Sequence, residues 1–528
     1  MGHKKKLHID VSLNITTTKR TSLWKLLLHE FNISNNTNQK LNDSINNDNN
    51  IQLLFNYVKL PIHLEKFMIF GLIYTLVVFL KLLVIIPFRW IIHTLILIIS
   101  TFTNKSKRIK LPKFNSISYK NDSIAVSNII ITLLLLKNID TSRIYHNIRS
   151  GTAIKLYFMT QVLEIADRLL SASGIDILKS LFRINIRKRK INFIFIYGLS
   201  IIYLYIHSYV LVYQVMALNV AINSYSNALL TLILSNQFSE LKSAVFKRTE
   251  REGLFQISSS DLNERFLLLI MLIIISSRNL LQILINTSSI NDFFNNIKPN
   301  SWLTNITPWI MVDNWLGLLI GPSILVIGSE LLVDWIKHSY IIRFNRIKPS
   351  IYDKYTKILS NDFINGLNGS SNQINDYPSL LTKRTGFPIT TLLIVFCKLS
   401  VFPYIKHFTT NLLNNYSTII SSILILLLII VLITLLIFIR LLLSIILLNW
   451  SKEILSKPIL KNDYTLGEPN VNTSNISDVR KSLYNSEIET IPPTVEEKRL
   501  KKLSDRKVDA DDSLSNVVRF EMADKRIW

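Results

Sequence analysis

Ile419 to Leu448 reads IISSILILLLIIVLITLLIFIRLLLSIILL, an apolar run broken by one charge, Arg440. Such a stretch is long enough to cross the hydrocarbon of a bilayer as a helix. Further runs follow the same pattern: Phe67–Ile86 with Lys81 inside, Asn192–Leu218, Phe266–Ile285 with Arg278 near its end, Trp315–Trp335 and Leu392–Tyr404. Pro87, Phe88 and Arg89 interrupt the first run, and Trp90–Ser100 resumes it with few residues, which predicts a hairpin of one full and one short helix. Hydrophobic residues make up 49% of the chain and charged residues 18%, a balance unlike that of soluble domains. The expected fold is all-α: a polytopic integral membrane protein with about eight crossings and amphipathic surface helices.

The formal charge of +24 then reads as basic loops held on the cytosolic side, near anionic lipid headgroups. Residues 101–191 form a basic connection, opened by Lys105–Lys110 and closed by Arg187–Lys190, and residues 339–388 form a second. Residues 286–314 are poor in Lys and Arg, carry sequons at Asn286 and Asn305, and hold Trp302 and Trp309, which predicts a lumenal loop. Both termini then lie in the cytosol. No basic patch is interleaved with aromatics on a soluble domain, so nucleic acid is not an expected partner. Residues 1–54, with an amphipathic candidate at Ser22–Leu28, and residues 449–528 are polar tails flanking a membrane domain at 55–448. The basic N-terminus lacks the apolar core of a cleavable signal, and the lone Cys397 excludes an intramolecular disulfide. Lys525 and Arg526, fourth and third from the end, have the form of a dibasic retrieval signal.

Polar residues inside apolar segments are the candidate sites. Asn219, Asn223, Asn227, Thr231 and Ser235 recur every four residues and make one stripe along a helix. Amides in hydrocarbon need partners, so the stripe reads as helix–helix contact or as the lining of a wet pathway. Glu330, Asp334, Lys337 and His338 share a second face, either as a metal or proton site or as an ion-paired helix end reaching the cytosolic interface. His207 reads as a hydrogen-bonded interior histidine. Glu164, Asp167 and Arg168 fall on the polar side of an amphipathic pattern beginning at Ile154, as a solvated face or ion pair.

Residues 209–266 hold the words LNVAINSYSNALLTL, SNQFSELKSAVFKR and LFQISSSDLNERF. Together with LPIHLEKFMIFG, YHNIR, LEIADRLL, SGIDIL and IGSELLVDWIKHSYIIRFNRIKPSIYDKYTKILSND, they resemble the family named after transmembrane anterior posterior transformation protein. Ser150-Gly151-Thr152 departs from the Gly-Gln usual there in the family. The resemblance implies an endoplasmic reticulum membrane protein without catalytic residues. Its fungal members are linked to folding and quality control of soluble lumenal proteins, with a SUN-like membrane-anchored glycoprotein as partner. No phosphate-binding, nucleophile-elbow or metal motif stands in the chain, so no enzyme and no cofactor are expected. The expected role is a scaffold or adaptor. The alternative is a transporter or channel using Lys81, His207, the Asn stripe, Glu330 and Arg440, and a lipid enzyme built on Asp334 and His338 ranks after both.

Overall fold

The computed structural model describes residues 37–102, 116–184, 190–223, 241, 251–286, 315–345, 347–368, 380–386, 389–415 and 418–456. The chain divides into two compact units, Met1–Val58 and Lys59–Trp528, and the contacts below belong to the second. Its regular elements are helices, here α1 (Thr37–Leu80), α2 (Ile86–Phe102), α3 (Ser116–Leu136), α4 (Thr141–Arg149), α5 (Ala153–Arg183) and α6 (Lys190–Asn223). They continue with α7 (Arg251–Asn286), α8 (Trp315–Asn345), α9 (Ile351–Asn368), α10 (Leu380–Thr385), α11 (Ile389–Phe396), α12 (Phe402–Asn415) and α13 (Thr418–Ser456).

Among the described residues four helical stretches are long and apolar enough to cross a membrane: Val58–Ile98, Ile191–Asn223, Ile389–Thr410 and Ile423–Ser456. The pair Tyr119–Leu136 and Thr141–Arg149, bent by 59°, makes a fifth if it counts as one broken span. The expected crossings at 266–285 and 315–335 fall in α7 and α8, which are not among the four, so the anticipated total is not reached in this part of the chain. The stretch read as a basic connection contains α3, whose Ile124, Val126 and Leu136 are core residues.

The hairpin expected near Pro87 is instead one continuous helix, Val58–Ile98. A π turn at Lys81–Ile85 joins α1 to α2, with the Ile86 N–H donating to the Lys81 carbonyl five residues back. The ladder is thus already widened where Pro87 offers no N–H, and the helix passes through rather than breaking. The same device recurs between α11 and α12. There Cys397–Val401 form a π turn, the Phe402 N–H reaches the Cys397 carbonyl, and Pro403 follows in the same register.

Apolar contacts gather in two clusters. One joins Phe79 and Ile86 of the first long helix to α3, α5, α6, α7 and α11. The other joins Leu60, Phe67 and Phe70 of α1 to Leu254 and Phe255 of α7, Tyr352 and Tyr355 of α9, and Leu447 of α13. Gly71 lets α1 and α7 approach, since a Cβ there would stand 2.5 Å from a Leu262 methyl. α13 presents Ile423, Leu426, Leu427 and Phe438 outward, the composition of a lipid-facing helix.

Polar groups tie the helices where apolar packing cannot discriminate between registers. Asn128 on α3 donates to Ser200 on α6 at 3.2 Å, and Tyr197 donates to Ser127 at 2.9 Å. Arg89 on α2 makes a two-pronged contact with the buried Asp122 on α3, both hydrogen bonds at 2.5 Å. Bidentate geometry of this kind fixes both angle and register.

Candidate functional site

Asp261 and Arg265 stand one turn apart on α7, and Asp334, Lys337 and His338 follow the same spacing on α8, so each set shares a face. The two faces meet. Lys337 Nζ lies 2.9 Å from Asp261 and 3.0 Å from Asp334, and Arg265 Nε donates to Asp334 at 2.7 Å. His338 Nε2 lies 2.7 Å from Asp261 and its Nδ1 lies 2.7 Å from the Tyr352 hydroxyl on α9. Glu65 on α1 closes the group, accepting from Arg265 Nη1 at 3.0 and 3.1 Å and from the Trp335 indole at 2.8 Å.

Lys337 is only 1% exposed and Asp334 and His338 are fully buried. The charges are paired with one another and covered by α1, α7 and α9 rather than left in solvent. Glu330 lies one turn before Asp334 on the same helix, half-buried. Three carboxylates, Glu65, Asp261 and Asp334, face two permanent cations, Arg265 and Lys337, with the His338 ring hydrogen-bonded beside them. Among the described residues no group of three His, Cys, Asp or Glu side chains has metal-holding geometry.

The electrostatics follow from this pairing. Burial disfavours an ionised Asp261, but the Lys337 ammonium and then the His338 ring overrule it and hold the carboxyl well below the usual carboxylate range. Burial likewise opposes the Arg265 charge, and Asp334 and Glu65 more than offset it, raising the guanidinium above its ordinary value. Burial pushes the Tyr352 phenol well up, so it stays protonated and can donate to His338. At the edge of the group Asp353, in the first turn of α9, accepts Lys66 at 2.7 Å and meets His63 at 2.7 Å. An acid at a helix N-terminus also suits the helix dipole. There too burial raises the carboxyl pKa, and the hydrogen bonds from His63 and Lys66 win and lower it.

A second buried polar group joins α5 to α6. Asp167 accepts from His207 Nε2 at 2.6 Å, and the other ring nitrogen lies 2.9 Å from the Tyr203 hydroxyl. His207 is the interior histidine expected from the sequence, and Asp167, expected on a solvated face or in an ion pair, turns into the core and pairs with it. Arg168 and Glu164 keep to the surface as a pair at 2.7 Å, and Arg168 also reaches Glu264 on α7 at 3.3 Å. Gly174 makes room for the tyrosine, because a Cβ there would stand 1.9 Å from the Tyr203 hydroxyl.

Of the Asn stripe, Asn219 is buried and accepts from the Asn223 amide at 2.7 Å, a bond along α6 rather than across to another helix. Asn227, Thr231 and Ser235 lie outside the described residues, as do Lys525 and Arg526. Sequence reasoning missed Glu65, Asp261, Arg265 and Tyr352. Yet all four sit in the quoted words: LPIHLEKFMIFG supplies Glu65, LFQISSSDLNERF supplies Asp261 and Arg265, and the long word spanning α8 and α9 supplies the rest. The i, i+4 spacing of Asp261 and Arg265, which puts both on one helix face, was the available signal.

These features define a polytopic helical membrane protein whose helices are cross-tied by buried ion pairs. The chain belongs to the eukaryotic membrane protein family, whose model matches residues 115–456. It is 32% identical over 531 residues to endoplasmic reticulum membrane protein 65 of Saccharomyces cerevisiae, covering 91% of this chain and 88% of that one. The protein of the same name from Schizosaccharomyces pombe is 37% identical over 362 residues, covering 66% of this chain and 52% of that one. The human transmembrane anterior posterior transformation protein 1 homolog is 31% identical over 350 residues, 65% of this chain and 56% of its own length. No solved structure matches.

Proposed function

We propose that the protein is a non-catalytic scaffold of the endoplasmic reticulum membrane that serves folding and quality control of soluble lumenal proteins beside a SUN-like membrane glycoprotein. The observation that carries this reading is the α7–α8 group, in which Asp261, Arg265, Asp334 and Lys337 are each met by an opposite charge. Charges spent on one another hold helices in register and leave little for a moving ion or a reacting substrate. The endoplasmic reticulum location rests on the names of the two yeast relatives. The basic loops would face anionic headgroups on the cytosolic leaflet, with both termini on that side.

Two measurements test the reading. Affinity purification of the tagged protein from detergent-solubilised microsomes should recover a SUN-like glycoprotein in stoichiometric amount. Deleting the gene should change the half-life of unstable soluble lumenal proteins, and an unchanged half-life would sink the quality-control role. The transport alternative is separated by replacing Asn219 and Asn223 with Leu: lost transport with normal assembly would favour it, lost assembly the scaffold.

A further inference from the structure

A basic cavity of about 800 Å³ lies between the C-terminal end of α3, the far half of α7 and the second π turn, apart from both polar groups described above. Four cations line it: Lys137, Arg278, Lys398 and Lys406. Among the described residues none of the four has a carboxylate within ion-pair distance. Arg278 gives one Nη1–H to Met216 Sδ at 3.2 Å, and Lys398 donates to the Lys137 carbonyl at 3.3 Å. Asp140, in the turn between α3 and α4, is near enough to attract Lys398, which still leaves the cavity with an excess of positive charge.

The second π turn builds this arrangement. Ser400 within it pairs with Ser277 at 2.7 Å, and Tyr404 just beyond donates to the Ser277 carbonyl at 2.6 Å. These bonds pin the turn beside Arg278, so Lys398 and Arg278 line one cavity from two helices. Lys398 lies inside the apolar stretch Ile389–Thr410, where an ammonium needs an anionic or dipolar partner. Apart from Thr141 and Gln282 the rest of the wall is apolar, and Ile130, Leu134 and Phe402 on it are 45%, 62% and 45% exposed. The cavity therefore opens onto an oily face rather than into a polar groove.

We propose that this cavity binds an anionic phospholipid, its phosphate held by Arg278 and Lys398 and its acyl chains lying along Ile130, Leu134 and Phe402. A guanidinium and an ammonium match a phosphate diester, and the exposed apolar wall selects the lipid form over free phosphate. This inference is independent of the scaffold reading, since it concerns other residues and another ligand.

The test uses the purified full-length protein in a neutral detergent, with thermal unfolding and native mass spectrometry after adding phosphatidylserine, phosphatidylcholine or inorganic phosphate. Phosphatidylserine should raise the melting temperature and be retained, and the other two should do neither. The double variant Arg278→Gln/Lys398→Gln should weaken phosphatidylserine retention by about tenfold or more, on the usual strength of charge-assisted hydrogen bonds. Equal shifts with both lipids, an equal shift with phosphate alone, or full retention by the double variant would each overturn the proposal. Should that variant not fold, Lys406→Gln on the exposed rim must still weaken retention several-fold, and unchanged retention overturns the proposal equally.

Discussion

Lys337 on α8 lies 2.9 Å from Asp261 on α7, almost wholly out of solvent, and so joins two helices by a charge pair that water cannot replace. Breaking such a pair from one side costs more than the pair itself contributes, because the surviving charge stays buried.

Lys337→Met is therefore expected to destabilise the protein by about 3–5 kcal/mol, leaving Asp261 and Asp334 without their shared cation. The contrast is Arg168→Ala. Its guanidinium side chain is 54% exposed and pairs with Glu164, and surface pairs contribute about 1 kcal/mol or less. Thermal unfolding in detergent compares them. Equal melting temperatures for the two variants would mean that the buried group does not hold the helices.

Acid should loosen the same contact. The Asp261 carboxyl lies below its ordinary range when folded, so its contribution is full above the unfolded value of about 3.9 and is lost as pH falls through the folded value. Asp353, lowered by His63 and Lys66, acts in the same direction. On this account the melting temperature falls steeply below about pH 4, with no loss from these carboxyls between pH 5 and 7. Asp261→Asn should flatten that acid limb while lowering stability at neutral pH. An unchanged acid slope in the variant would remove Asp261 from the explanation.

Much of the helical class was legible, because long apolar runs in a bilayer admit few folds. The face shared by Asp334, Lys337 and His338 was legible too, from spacing alone. What covers that face was not. Asp261 and Arg265 come from another helix, and Glu65 is 200 residues before its partner Arg265, a separation that no local pattern encodes. A charged helix end therefore looked solvent-bound when it was a core. Pro87 looked like a break for a similar reason: hydrophobic periodicity marks a helix but carries no sign of a π turn that lets a proline pass. Gly174 drew no notice, since a glycine's need for space depends on a side chain in the next helix.

Gly174→Ala tests that need. The added methyl would collide with the Tyr203 ring, which His207 and Asp167 hold from behind, so the ring cannot swing away without breaking buried hydrogen bonds. Overpacking of this kind costs about 1–3 kcal/mol. Gly198→Ala, with nothing within 4 Å of the new methyl, should instead be neutral or stabilising by up to about 1 kcal/mol, through helix propensity alone. A loss for Gly174→Ala with none for Gly198→Ala in thermal unfolding would fit this account, and equal losses would contradict it.

The first π turn sets the rotation of everything after it. Arg89 reaches Asp122 because Lys81–Ile85 carries one residue more per turn than an α-helix would. Deleting Leu83 should restore ordinary α geometry and rotate α2 by about 100° against α1. Arg89 would then swing off the buried Asp122, leaving that carboxylate without its two-pronged partner. The deletion should thus destabilise at least as much as Arg89→Ala, by about 1–3 kcal/mol, because Asp122 is buried but Arg89 is 41% exposed. Combining the two should add little to the deletion alone, since both remove one interaction. Additive losses would show that the turn and the ion pair act independently, and a harmless deletion would show that the π turn does not set the register of α2.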